Sequence, residues 1–571
     1  MRTRLERFSI VDRLLDLIER QRPSDRLILR ILFFVIIGSG IFLLLTLNDK
    51  YSMSVPADGG EVIEGIVGIP RFVNPALALT RADQDTVALV YSGLLRSNST
   101  GNLEPDLAES VTISDDGLIY HVILKKDNTF HDGKPLTARD VVFTFDLFKN
   151  PILRSPLQGV WSDVAIEEIN EYELNIILKE AYAPFIENLT VGVMPYHIWG
   201  DLPIEQLPFS QYNTEPIGSG LFAIKDTKHN SSGLISSYEL SPTSKIALDK
   251  MELRFYPNEN DLTEAFLNKE ITNTVFLPTN VISELDPEAV QIISEPLPRI
   301  FGIFFNQNKS PALRDKAARQ ALNVAIDREQ IVNEVLGGHG VPTNQPILIS
   351  ANKLESINTD SDNRPTSSIA LASEILIKGG WTQSSVGLWE KEIDKSKETL
   401  SVTIRTSNTE IFDKTTAIVA ENWRKLGVEV QIEQYEQTGL VKSVIRPRDF
   451  QALLFGLDMN RIQDLYPFWH SSQKDDPGLN ITQYTNVTVD QLLEKSRVTK
   501  DDDERNKILS EISDIIVDEL PAIFLFAPNV TYVVNKDIQI TPINSFSKPT
   551  DRFTDIANWH TKSEKIWSIF E

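Results

Sequence analysis

Between Asp106 and Asp146 the chain reads DLAESVTISDDGLIYHVILKKDNTFHDGKPLTARDVVFTFD, and each part of this stretch limits the next. Residues 111–113 and 118–124 are β-branched and apolar. Ser114-Asp115-Asp116-Gly117 between them carries a glycine able to take the positive φ of a tight turn, so the pair predicts a hairpin. His131-Asp132-Gly133-Lys134-Pro135 is too rich in turn formers to continue the pairing. Thr137 with Asp140 three residues on is a capping pattern, and Val141, Val142, Phe145 and Phe148 give the helix that follows one apolar face.

This strand, turn, strand, Phe-His-Asp-Gly-Lys-Pro loop and capped helix resembles the signature of the extracytoplasmic solute-binding proteins of family 5. These are the peptide and nickel type that deliver ligands to ABC importers. The likeness continues in an opening strand over 61–69, Asn74-Pro75 and a helix over 83–95 ending near Gly93. It runs on through Pro216-Ile217-Gly218-Ser219-Gly220-Leu221-Phe222, and through two helices over 311–340 divided at Asp327, which with Gln330 makes a capping box. A helix over 372–380 before Trp381 completes it, and a strand, helix, strand unit over 400–433 with Gly427 as a stop predicts a parallel pair in a helix-covered sheet. The resemblance covers roughly 61–555. It implies an α/β, two-lobed periplasmic-binding-protein-like fold, type II and cluster C-like, with an extra subdomain. Lobe I would be built from 61–98, 214–298 and 525–571, subdomain II from 99–213 and lobe III from 299–524.

Ahead of this lies ILFFVIIGSGIFLLLTL, residues 31–47, uncharged and about long enough to cross a bilayer when 27–29 extend it. It predicts one transmembrane anchor over 27–47, after a cytoplasmic segment 1–26 that includes a short amphipathic stretch over 5–18. A linker over 48–60 follows. The arginine excess before the run places the N-terminus inside and the large domain outside. A cleaved signal peptide is the rival reading, but its charged region is short, and Thr46-Leu47-Asn48 is a poor cleavage site.

A net charge of −24 argues against nucleic acid as a partner, because phosphate binding needs clustered Lys and Arg. With no cysteine there is no disulfide, thiolate metal site, cysteine nucleophile or lipid-modified cysteine. The seven histidines show no metal spacing, and hydrolase motifs are absent, so neither a cofactor nor an enzymatic activity is expected.

The resemblance also implies where ligand meets the chain. After the strand over 449–457, relatives carry a Gly-Trp segment and an aspartate that meets the ligand's α-amino group. The matching positions here are Gly456, Leu457 and Asn460, with Asp458 and Asp464 as the carboxylates able to stand in for the one lost. Ser92, Gly93, Phe143 and Phe526 match cleft-lining positions, Trp469 is a candidate as part of the same loop segment 456–470, and packing is the alternative for each. The expectation is a membrane-anchored binding protein that passes peptides or peptide-sized solutes to ABC permease subunits. A tethered sensor or assembly protein that kept the fold is the alternative.

Overall fold

The computed structural model describes residues 22–275, 277–348, 368–459 and 461–567. The chain divides into two units, Met1–Gly59 with His560–Glu571, and Gly60–Trp559.

In the first unit, among the described residues, no helix is long and apolar enough to cross a membrane. At the position of the expected anchor stands a helix of 29 residues, Pro23–Tyr51, whose side chains over 31–43 are exposed. The segment expected as a linker is paired instead. Ser52–Pro56 runs antiparallel to Ser563–Trp567, and the Ala57 N–H donates to the Lys562 carbonyl at 3.0 Å. Residues 560–567 thus belong to this unit, not to the return into lobe I. The amphipathic stretch over 5–18 lies outside the described residues.

The second unit is organised by Ala522–Asn535, a strand of 14 residues. At about 3.4 Å per residue it is roughly 48 Å long, enough to serve two separate cores. Ala522 to Phe526 pair with Arg299–Phe305, while Asn529 to Asn535 pair with Val290–Pro296. Through it a 12-stranded sheet continues on one side to Ala452–Asp458, Ser401–Ser407 and Glu429–Tyr435. On the other side it continues to Asn273–Val275, Glu61–Val67, Lys250–Tyr256, Ile235–Pro242 and Phe222–His229. Ile523 and Phe526 enter one apolar cluster, and Val530 and Tyr532 enter another. The halves of the strand therefore belong to different lobes, and each large buried side chain adds about 1.5–3 kcal/mol to its own lobe.

The helix Glu410–Leu426 joins two parallel strands, Ser401–Ser407 and Glu429–Tyr435, and stops at Gly427 with φ +94°, as the sequence predicts. Between Asp327 and Gln330 only half of the expected capping box forms. The Asp327 carboxylate accepts the Gln330 N–H at 2.9 Å, but the Gln330 amide turns to Glu334, and Asn422 takes the Asp327 N–H.

The organising stretch of the sequence forms the four-stranded subdomain. Ala108–Ile113 pairs with Ile119–Leu124 around Gly117 at φ +73°, and Glu173–Ile177 and Ala165–Asn170 continue the meander. The helix Ala138–Lys149 starts where the Thr137 N–H and hydroxyl both donate to the Asp140 carboxylate. Its Phe145 stacks on Trp161 at 4.1 Å. His131 ties this subdomain to the Gly218–Gly220 turn. Its Nδ1 accepts the Gly218 N–H at 3.3 Å and its Nε2 donates to the Gly220 carbonyl at 3.0 Å. That pattern needs the neutral ring, and burial lowers the imidazole pKa accordingly.

The same turn corrects the helix expected over 83–95, which ends at Val90. The Gly220 N–H takes the Val90 carbonyl at 2.8 Å, and Tyr91 leaves in an extended conformation. A Cβ on Gly218 would lie 2.0 Å from that carbonyl oxygen, so only glycine allows the approach.

Candidate functional site

Two adjoining chambers open in the second unit, of about 900 Å³ and about 750 Å³, sizes that suit a small-molecule or peptide ligand. Tyr120, Tyr182 and Ile186 wall the first from the meander subdomain, and Leu348, Gln463 and Leu509 wall it from the opposite lobe. Tyr91, Ser92, Gly93, Asp106 and Asp551 wall the second. Leu103, Glu187 and Arg461 belong to both walls and stand where the chambers meet.

Arg461 comes from the loop after Ala452–Asp458 and crosses the cleft. Its guanidinium donates to the Gly101 carbonyl at 3.2 Å, Ser547 Oγ at 2.8 Å and Asp551 Oδ2 at 2.9 Å. A second tie lies nearby. Arg497 holds Asp464 through Nη2 at 2.6 Å and Nε at 3.1 Å, and the Tyr182 hydroxyl donates to the same carboxylate at 3.1 Å. The Arg497 guanidinium sits 3.8 Å from the Tyr466 ring centroid and 4.9 Å from that of Tyr182, which adds cation–π attraction. Lys500 reaches the hairpin turn of the meander, donating to the Ser114 and Asp115 carbonyls at 2.7 and 2.9 Å. Together these contacts hold the two sides close.

Carboxylates mark the cleft. Burial pushes the Asp106 carboxyl up, although Ser92 hydrogen-bonds to it, and pushes Glu187 up to about 7 against the pull of Arg461. Glu187 Oε1, Tyr91 Oη, Ser219 Oγ and Thr550 Oγ1 are buried without a hydrogen-bond partner in the protein, and all four residues line the second chamber. Buried polar atoms left open on a cavity wall are what a ligand can satisfy.

The profile described as "Bacterial extracellular solute-binding proteins, family 5 Middle" matches residues 102–478, the span that carries the meander subdomain and most of the opposite lobe. The chain belongs to this family. It is a solute-binding protein of the ABC-transporter type, not an enzyme. The oligopeptide-binding protein AppA of Bacillus subtilis (strain 168) is 28% identical over 489 residues, which are 84% of this chain and 89% of AppA. The structure of Bacillus subtilis AppA in complex with a nonapeptide superposes with a TM-score of 0.65 at 27% identity, covering 88% of this chain and 99% of that one. NikZ from Campylobacter jejuni in complex with Ni(L-His) shares the fold, with a TM-score of 0.66 at 24% identity and coverage of 88% and 99%.

Among the residues expected at the site of this family 5 protein, Ser92 and Gly93 stand on the wall of the second chamber. The others sit elsewhere. Leu457 is buried in the core of its lobe, Gly456 faces the Phe301 ring, and Asp458 is exposed and paired with Arg299 across the strands. Asp464 is saturated by Arg497 and Tyr182, which makes it a tie between the two sides. Trp469 packs against Phe524 and Tyr484, Phe526 stacks on Phe301 at 4.9 Å, and Phe143 meets Tyr196 edge-on at 5.4 Å. Asn460 lies outside the described residues.

Glu187, Arg461 and Asp551 escaped the sequence reading. Glu187 did leave a trace, as the one charged residue of APFIENLT, the 3₁₀ segment Ala183–Thr190. A lone carboxylate in an apolar run is costly to bury unless something meets it.

Proposed function

We propose that this protein is a membrane-tethered substrate-binding subunit that holds a peptide or peptide-sized solute between its lobes and hands it to an ABC permease. The observation that carries this reading is the pair of adjoining chambers, the first walled by the meander subdomain and the opposite lobe, the second lined with buried polar atoms that have no hydrogen-bond partner in the protein. Membership of family 5 and the nonapeptide held by AppA support a peptide. NikZ, which holds a nickel–histidine complex, keeps the solute class broader.

Lobe I comprises 61–98, 214–298 and 525–559, subdomain II comprises 99–213 and lobe III 299–524. Residues 296–299 and 527–530 are the two crossings between lobes I and III, and the lobes close about them. Binding free energy goes into the closed state, so affinity and closure are linked. Tethering rests on the uncharged run over residues 31–47 of the sequence and on the arginine excess before it, which puts the N-terminus on the cytoplasmic side.

Mass spectrometry of the solute released by mild denaturation of the purified full chain, followed by thermal shift with peptide pools, tests the proposal. Recovered peptides that raise the melting temperature when returned support import. An empty cleft that no peptide stabilises favours a tethered sensor or assembly protein.

A further inference from the structure

We infer that Glu187 is the carboxylate that receives a cationic nitrogen of the bound solute, such as a free α-ammonium, where the chambers meet. The inference rests on the solute-binding reading above and assigns the recognition group within it.

Three observations converge on Glu187. It belongs to the walls of both chambers, so a solute spanning them passes it. Its Oε1 is buried with no hydrogen-bond partner. Arg461, the nearest cation, faces the Glu187 carboxyl with its backbone N–H, but its Nε lies 3.9 Å from Oε1, beyond hydrogen-bond reach, and its terminal nitrogens bond Gly101, Ser547 and Asp551.

Charge counting favours a cation as well. Once Glu187 ionises, it and Asp551 bring two negative charges to the Arg461 guanidinium, and the other nearby cation, Lys548, is exposed and screened by solvent. Tyr182, on the same segment boundary, is neutral, because burial pushes its hydroxyl pKa up. An ammonium placed at Oε1 would balance the cluster. The open hydroxyls of Tyr91, Ser219 and Thr550 supply further polar contacts on the wall of the second chamber. This arrangement also places the ligand's charge partner on subdomain II, and the asparagine that the sequence carries at position 460 has no charge to offer.

In the empty cleft burial pushes the Glu187 carboxyl up to about 7, where Arg461, Asp551, Lys548 and Tyr182 surround it. A bound ammonium ionises it and releases a proton. Affinity for amine solutes therefore rises as pH increases from about 5 to 7, below the range in which an α-amino group itself loses its proton, about 7.7–8.0.

The test compares wild-type and Glu187→Gln full-length chains, titrated calorimetrically with a pool of random tri- to pentapeptides carrying either free or N-acetylated amino termini. Wild type is expected to prefer the free-amine pool by about tenfold or more and to release protons on binding it, as a charge-assisted contact predicts. Glu187→Gln is expected to bind both pools alike with no pH dependence between 5 and 7. A far-ultraviolet circular dichroism spectrum and a cooperative unfolding transition like those of wild type show that it is folded. If Glu187→Gln keeps the free-amine preference, Glu187 is only a partner of Arg461, and the solute-binding reading stands without this assignment. If wild type binds neither pool, the peptide reading falls and takes the assignment with it.

Discussion

Asp551 and Arg552 are consecutive residues of one short 3₁₀ turn, Pro549–Phe553, yet they serve opposite kinds of charge cluster. Arg552 points into lobe I, where it is fully buried with Glu64 and Asp85. It holds Asp85 through two nitrogens at 2.9 and 2.7 Å and Glu64 at 2.8 Å, and the Tyr532 hydroxyl completes Glu64 at 2.8 Å. Burial opposes the charge on Arg552, but Asp85 and Glu64 outweigh it and raise its pKa. Asp551 faces the cleft, where Arg461 reaches it from the other lobe and Glu187 keeps an unbonded oxygen. One cluster is complete and holds a lobe together. The other leaves a carboxylate oxygen without a hydrogen bond on a chamber wall.

Breaking the complete cluster has the largest expected effect. Arg552→Met leaves two buried carboxylates without their cation, which costs about 3–5 kcal/mol. Urea unfolding should show that loss, and a loss below about 1 kcal/mol would deny the cluster its structural role. Breaking the cleft cluster acts on closure instead. Arg461→Met removes the bonds to Asp551, Ser547 and Gly101 and should disfavour the closed form by about 2 kcal/mol. Small-angle scattering of the unliganded chain should then show a larger radius of gyration, while urea unfolding changes little. Tyr182→Phe removes one hydrogen bond to Asp464 and should weaken closure by about 1 kcal/mol, read as a few-fold loss in solute affinity.

The smallest effect is a pH slope. Glu187 binds its proton more tightly folded, up to about 7, than at its ordinary value of 4.5. Between those values the folded state carries more protons than the unfolded state, so the stability of the empty chain falls as pH rises through that window. Glu187→Gln removes this contribution, and unfolding midpoints measured from pH 4.5 to 7 should fall less than those of wild type.

What the sequence made legible follows the same division. The meander, the capped helix at Thr137 and the parallel unit ending at Gly427 were readable because periodicity, caps and glycine stops are local signals. The two-lobed class came from the resemblance of many such signals in order. The helix after Thr80 was read too long because the Gly220 N–H, distant in sequence, takes the carbonyl of Val90. The pairing of Ser52–Pro56 with Ser563–Trp567 was hidden for the same reason, since its partner lies at the other end of the chain. The cleft was the least legible part. Its walls come from a 3₁₀ segment and loops without periodicity, and Arg461 meets Gly101 across 360 positions. Positions carried over from relatives led to Leu457, Trp469 and Phe526, apolar residues that this chain packs into its lobes.

The most direct measurement is a crystal structure of the full chain with the solute that co-purifies with it. The account predicts density across both chambers, a cationic nitrogen of the solute hydrogen-bonded to Glu187 Oε1, and the Arg552 cluster unchanged. A solute whose nitrogen lies on Asp458 or Asp464 while Glu187 Oε1 stays bare would contradict it.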